Sequence, residues 1–226
     1  VRAMTFLSAA FNLGAVMGPL LGGWLGDHFD LRTVYFIAAA LFVVSTGILL
    51  FIKSQPRDHH DPEIHDTRLF KNTRFVGFLG IIFLFVFVCY LPQPFSSRFL
   101  ESERHLSLGS IGILGSINGL GNAVFNLLLG QFSSRLGLIL VQICIAVFSL
   151  LVWRGTGLGW YAAGYFILGG YRTARSFILS TVGALIRPSQ MGLAYGVAVT
   201  FDSLAMVLAP LLAGIIYSKN PGGVYP

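Results

Sequence analysis

LGAVMGPLLGGWL (13–25) and LAMVLAPLLAGII (204–216) are two versions of one stretch. Leu13 aligns with Leu204, Val16 with Val207, Pro19-Leu20-Leu21 with Pro210-Leu211-Leu212 and Gly23 with Gly214, at a constant offset of 191 residues. Gly14, Gly18 and Gly22 become Ala205, Ala209 and Ala213, so a small residue always answers a small one. Gly14 and Gly18 lie four apart on one helix face, the spacing that lets helix backbones approach closely in a membrane, and Pro19 can bend the helix. Both copies are the last apolar run before a short loop. The pattern predicts two halves related by a parallel repeat.

The composition outside the repeat agrees. Of 226 residues, 55% are hydrophobic and 11% charged, with 20 Phe and 27 Gly, and the mean hydropathy is +0.76. The charged fraction is about half that of a soluble domain. One soluble core cannot enclose this much apolar surface, so lipid is the expected solvent. The net charge of +6 does not point to nucleic acid, because the basic residues form neither a run nor a stripe interleaved with aromatics. Cys89 and Cys144 fall inside apolar runs and read as small buried hydrophobes rather than a disulfide. The chain opens at Val1 with no initiator Met and no basic segment before a cleavage site, which predicts no signal peptide and a piece of a longer protein.

A spanning helix needs about 20 mainly apolar residues. Candidate spans run over 3–26, 34–53, 74–95, 108–132, 137–153, 158–186 and 191–217, seven in all. The separators at 26–33, 133–137, 154–159 and 187–190 are tight, which implies antiparallel neighbours in an all-α membrane bundle. The amphipathic segment 96–107 is expected at the membrane interface. The one long polar stretch divides the chain into 1–53 with two spans, a linker at 54–73, and 74–226 with five spans. With residue 1 and the linker inside, the inner loops hold Arg2, Lys53, Arg57, Arg68, Lys71, Arg74, Arg135 and Arg187. The outer loops hold Arg32, Arg98, Arg104, Arg154 and Lys219, eight basic residues against five, which favours a cytoplasmic linker.

GAVMGPLLGG (14–23) resembles motif C of the fifth helix of major facilitator superfamily (MFS) transporters, above all their antiporters and drug exporters, through Gly14, Gly18, Pro19, Gly22 and Gly23. GQFSSRLG (130–137) is similar to the second-half copy of the superfamily's motif A through Gly130, Arg135 and Gly137, with Ser134 where that motif has Asp. The resemblance implies that the seven spans are helices five to eleven of twelve. It also implies that helix five meets helix eight where the halves join, so that Gly115 and Gly119 would pack against the motif C glycines in a rocking seam. Helices seven and ten would line the central cavity.

Several residues stand out within the spans. Asn118, Asn122 and Asn126 recur every fourth residue and form a polar stripe. It reads either as interhelical hydrogen bonding, worth about 0.6–2 kcal/mol each, or as the wall of a wet passage. Pro92 and Pro94 flank Gln93 and break or bend the end of their helix; this reads either as a simple helix end or, since the resemblance makes the span helix seven and a cavity liner, as a place where Tyr90 and Gln93 are candidate substrate contacts. His59, His60 and His65 alternate with acids, but Pro62 interrupts them and the spacing fits a solvated linker better than a metal site, so no metal is assigned.

GGYRTARSF (169–177) places Arg172 and Arg175 one helical turn apart in mid-span, with Tyr171 beside them. Asp202 is the one acid inside a candidate span. At 1.5 Å per residue, Arg175 and Asp202 both lie about 16 Å deep from the same side, so a pair is expected if their faces agree. An intramembrane charge belongs in the bundle interior with a partner. Three roles compete: a static cluster, an anion site at Arg172, and a proton carrier at Asp202.

These features predict a secondary active transporter in the plasma (inner) membrane, moving a small solute by alternating access. The motif C resemblance implies proton-coupled export. The expected partners are the lipid bilayer, the solute and protons, with no nucleic acid and no cofactor. The rival is a membrane sensor or scaffold that keeps the fold without transporting. An enzyme is not expected: there are no paired loop carboxylates, no GxSxG elbow and no phosphate-binding glycine loop.

Overall fold

The computed structural model describes residues 2–29, 31–51 and 67–225, and every regular element among them is helical. The histidine-rich stretch with His59, His60 and His65 lies outside the described residues. In chain order the α-helices are α1 (Arg2–His28), α2 (Leu31–Leu50), α3 (Thr73–Tyr90), α4 (Ser96–Ser102), α5 (Leu108–Leu129), α6 (Ser134–Arg154), α7 (Leu158–Leu168), α8 (Ala174–Leu185) and α9 (Met191–Lys219). Five stretches are long and apolar enough to cross a membrane: Leu31–Leu50, Thr73–Tyr90, Leu108–Leu129, Ser134–Arg154 and Pro188–Lys219. The 27 residues of α1 reach about 40 Å, enough to cross as well.

The seventh expected span, 158–186, is not one α-helix. It consists of α7, a 3-10 turn over Gly169–Thr173, and α8. Arg172 therefore sits in the 3-10 turn and Arg175 in α8, rather than both on one continuous helix. The cause is local. Two adjacent glycines impose little helical preference, and the Thr173 hydroxyl donates to the Gly170 carbonyl, a side-chain competitor for the backbone ladder. The expected span 74–95 is also shorter: α3 stops at Tyr90, ahead of Pro92 and Pro94, and the chain turns into α4.

Helix ends follow ordinary capping chemistry. The Asn72 side chain accepts from the N–H groups of Arg74 and Phe75 to start α3, and Ser107 accepts from Ser110 N–H to start α5. The turn into α5 passes through His105 at φ 55°, a left-handed position that His tolerates better than most residues. The Asp27 carboxylate at the end of α1 lies against Gly109 in the first turn of α5, where negative charge suits the helix dipole.

Two interfaces position everything else. In the C-terminal part, α3 buries Phe75, Leu79, Ile82, Val86 and Cys89 along one stripe. The facing stripe of α9 is Ala194, Ala198, Asp202, Ala205, Ala209 and Ala213. One carboxylate thus occupies a row otherwise made of alanine. The second interface joins α1 to α5. Here Gly23 meets Gly112 so closely that a Cβ on Gly23 would stand 2.8 Å from the Gly112 Cα. Gly115 lies under Pro19, and Gly119 under the Ala15 carbonyl. Pro19 has no N–H to give that carbonyl, so the close approach of α5 covers a place where the α1 ladder is open. Ser116 Oγ donates to Val16 O at 2.6 Å across the same seam.

Gly14, Gly18 and Gly22 are not part of this seam. A Cβ on any of them meets nothing within 4 Å. The expectation that they pack against Gly115 and Gly119 is therefore corrected: Pro19 and Ala15 do so, while Gly23 packs against Gly112. The face of α2 is bare as well. It has no buried residue, and Phe36 and Phe42 are each 74% exposed, tolerable only in lipid or against further protein.

Candidate functional site

A cavity of about 690 Å³ opens between α3, α5, the broken span and α9, with Phe11 of α1 at its edge. It collects Tyr90, Gln93, Asn118, Asn122, Asn126, Tyr171, Arg172, Arg175 and Asp202, the polar residues that stood out in four separate stretches of sequence. Leu168, Ile178, Val199, Ser203 and Met206 complete much of the wall.

The break in the span and the asparagine stripe explain one another. At Gly169 the backbone N–H turns to the carbonyls of Phe166 and Ile167, leaving the Tyr165 carbonyl outside the regular ladder. Asn118 Nδ2 donates to that carbonyl at 3.1 Å. The backbones themselves touch: Gly121 lies against the Phe166 carbonyl, and Gly169 against the backbone of Gly121 and Asn122. Irregular backbone at membrane depth is tolerated only where protein or a wet cavity covers it, and α5 supplies that cover. Further along, Asn126 Nδ2 donates to Asn122 Oδ1 at 2.9 Å. The stripe is therefore both interhelical glue, at Asn118, and cavity wall, at all three positions.

The aromatic and amide residues divide similarly. Tyr90 and Tyr171 face each other with ring centroids 6.2 Å apart. Gln93 Nε2 donates to Cys89 O at 2.7 Å, capping the end of α3, so part of its role is structural. Both cysteines are free thiols.

The charges are not equivalent. Arg172 lies in the 3-10 turn and Arg175 three residues on, in the first turn of α8. The Arg175 charge acts on Asp202, but among the described residues the two form no ion pair. Among the described residues, Arg172 has neither a hydrogen bond nor an ion pair, and it stands exposed in the cavity. No hydrogen bond reaches the Asp202 carboxylate among the described residues, although the residue is only 9% exposed. The arginines, less one carboxylate, leave the wall with a net charge of +1, centred on Arg172.

The remaining sequence candidates lie elsewhere. Gly130 ends α5, its N–H donating to Asn126 O at 3.3 Å. Gly137 is buried beneath the Phe177 ring, where a Cβ would collide with it. Arg135 is exposed and lines a separate apolar groove of about 450 Å³ with Phe78 and Ile178. Among the described residues, no group of His, Cys, Asp and Glu could hold a metal ion. Sequence reading missed Gly112, Gly121 and Gly169 as contact glycines, and Phe11, Ser203 and Met206 as cavity wall. The Gly169-Gly170 pair followed by Thr173 was the one available signal for the break.

Comparison with known proteins follows the same lines. The chain is 23% identical over 247 residues to Multidrug resistance protein 2 of Bacillus subtilis (strain 168), covering 97% of this chain and 58% of that protein. It is 23% identical over 231 residues to Multidrug resistance protein MdtG of Proteus mirabilis (strain HI4320), covering 96% and 52%. It is 23% identical over 237 residues to the class B tetracycline resistance protein of Escherichia coli, covering 97% and 58%. The chain thus spans a little over half the length of these relatives. The family model described as Major Facilitator Superfamily matches residues 1–210. With a matching helical bundle and a cavity between its spans, the chain is an integral membrane protein that belongs to the Major Facilitator Superfamily.

Proposed function

We propose that the protein is a secondary active transporter that exports a small solute by alternating access, driven by protons entering the cell. The observation that carries the reading is the convergence of Arg172, Arg175, Asp202 and three asparagines on one cavity wall. Intramembrane charge is costly and marks solute or ion pathways. The α1–α5 seam beside that cavity is made of glycine, alanine and proline with few interlocking side chains, a surface over which one half can rock. The relatives named for multidrug and tetracycline resistance support the outward direction. Asp202 is the residue we assign to the proton. The protein would sit in the inner membrane with the 54–73 linker in the cytoplasm.

Alternating access can be tested without knowing the solute. Ser203 lines the cavity and is exposed. In a background with Cys89→Ala and Cys144→Ala, Ser203→Cys of the full-length protein should react with a membrane-impermeant maleimide from either side of the membrane. An imposed proton gradient should shift labelling from one side to the other. Labelling from one side only, insensitive to the gradient, would refute transport and favour the fold as a static sensor or scaffold.

A further inference from the structure

Resting on the transport reading above, we propose that the cargo is a small aromatic zwitterion, with its anionic group held by Arg172 and its ammonium group by Asp202. The cavity volume of about 690 Å³ falls within the range of about 300–1,000 Å³ usual for drug-sized ligands. The facing rings of Tyr90 and Tyr171, with Phe11 and Met206, offer an apolar bed for a flat body. The polar ends follow from the charges. Arg172 is a permanent cation with five donors and, among the described residues, no acceptor. A carboxylate fits that fork in a bidentate way. Asp202 presents an acceptor with no donor bound to it among the described residues.

The sign of proton linkage selects the zwitterion over either simple ion. The charged and titratable groups that share the cavity with Asp202 are Arg175, Arg172 and Tyr171 from the broken span and Tyr90 from α3; α5 contributes only asparagines, and among these groups Arg175 acts on the Asp202 charge. With Asp202 ionised, the wall formed by the described residues carries two positive charges and one negative, net +1. With Asp202 protonated it carries +2. A solute that is only an anion therefore binds more tightly to the protonated wall and travels with the proton, the wrong sign for export against proton entry. A solute that is only a cation meets a wall of its own sign. A zwitterion satisfies both requirements. Its anionic end uses the unpartnered arginine, and its ammonium competes with the proton for one carboxylate. Proton binding then releases it, as exchange demands.

Three indole compounds that differ only in charge test this: tryptophan (zwitterion), tryptamine (cation) and indole-3-propionate (anion). Equilibrium binding would be measured on the full-length protein in nanodiscs, from neutral to mildly acidic pH. Tryptophan should bind at least about ten-fold more tightly than either analogue, about 1.4 kcal/mol, and weaken as the pH falls. Asp202→Asn should remove its advantage over indole-3-propionate while leaving that anion bound. Arg172→Ala should remove its advantage over tryptamine.

Indole-3-propionate binding as tightly as tryptophan, and more tightly at low pH, would overturn the proposal in favour of a simple anion. Tryptamine binding most tightly would overturn it in favour of a cation. Binding of none of the three would also overturn it. Each of these outcomes leaves the transport reading standing if Ser203→Cys still switches sides, and loss of that switching defeats transport itself.

Discussion

The same substitution, glycine to alanine, should have opposite consequences on the two faces of α1. At Gly112 in α5, an added Cβ would collide with the Pro19 carbonyl and lie 2.9 Å from the Gly23 Cα. Both are backbone atoms of a packed helix, so no side chain can rotate away, and the helices must separate by a good fraction of an ångström. Overpacking of this kind costs about 1–3 kcal/mol. The higher helix propensity of alanine returns at most about 1 kcal/mol. The net expectation for Gly112→Ala is a loss of about 1–2 kcal/mol. Gly23→Ala should match it, since its Cβ would stand 2.7 Å from the Leu108 carbonyl.

At Gly14, Gly18 and Gly22, nothing lies within 4 Å of the added carbon. The second copy of the repeat already carries alanine at the three equivalent places, and Ala205, Ala209 and Ala213 are fully buried there. Alanine is thus compatible with the repeat's geometry even under close packing. Gly14→Ala, Gly18→Ala and Gly22→Ala should be neutral, or stabilising by up to about 1 kcal/mol. Thermal unfolding of the five variants in one detergent would rank them. If Gly14→Ala or Gly18→Ala proved more damaging than Gly112→Ala, the assignment of the seam to Pro19 and Gly23 would be wrong.

Other substitutions probe the cavity wall and the rim. Asn118→Leu keeps the branched outline, in a somewhat larger side chain, but strands the Tyr165 carbonyl, and should destabilise by about 1–3 kcal/mol in the same unfolding assay; an unchanged midpoint would mean the break is self-supporting. Tyr225 packs on Phe99 with centroids 5.0 Å apart. Its hydroxyl is buried with no partner among the described residues, and burial pushes that hydroxyl's pKa up. Tyr225→Phe should therefore be neutral or raise the midpoint, by about 1 kcal/mol at most, and a clear loss would reveal a hidden partner. Arg172→Ala should abolish transport in proteoliposomes without lowering the unfolding midpoint, since the guanidinium supports no contact among the described residues; a parallel loss of stability would return it to a structural role.

Much of this architecture is written in the chain because lipid simplifies the code. Long apolar runs must be helices, and the 191-residue offset between Pro19 and Pro210 shows as an internal repeat in the sequence itself. The gathering of Arg175 and Asp202 on one cavity was also within reach, since a count of residues from a tight turn gives depth. Facing was harder to read. Gly14-xxx-Gly18 and Gly115-xxx-Gly119 look alike as strings, and only packing shows that one pair is in the seam and the other is not. Helix continuity was hidden too. Residues 158–186 have the composition of an unbroken span, and the Gly169-Gly170 pair with Thr173 only permits the 3-10 turn at Gly169–Thr173. The cover that α5 gives it through Gly121 and Asn118 is tertiary and is not written in the local pattern.

Helix α5 is the element on which these relations converge. Gly112, Gly115 and Gly119 face α1, Gly121 faces the break in the neighbouring span, and Asn118, Asn122 and Asn126 face the cavity. Successive residues of one helix thus serve the α1–α5 seam, the support of an irregular backbone and the cavity wall. Among the described contacts of the seam, the one direct side-chain hydrogen bond is that of Ser116 Oγ to Val16 O. The rest is mostly backbone against backbone and the Pro19 ring, with the Val16 side chain against Gly119, the Leu108 side chain against Gly26 and the Asp27 carboxylate against Gly109. Hydrogen bonds of this kind within membranes average about 0.6 kcal/mol, so displacement of α1 along α5 breaks little and need not repack interlocked side chains. The opposite face differs: Asn118 fixes the broken span to α5 through an otherwise uncovered carbonyl. A motion that slips at the glycine seam while holding at Asn118 would carry the cavity wall, with Arg172 and Arg175, as one body with α5. The contrast is between glycine contacts on one face, which leave α1 with one direct side-chain hydrogen bond among the described residues, and an asparagine side chain on the other that covers a carbonyl left open by the break.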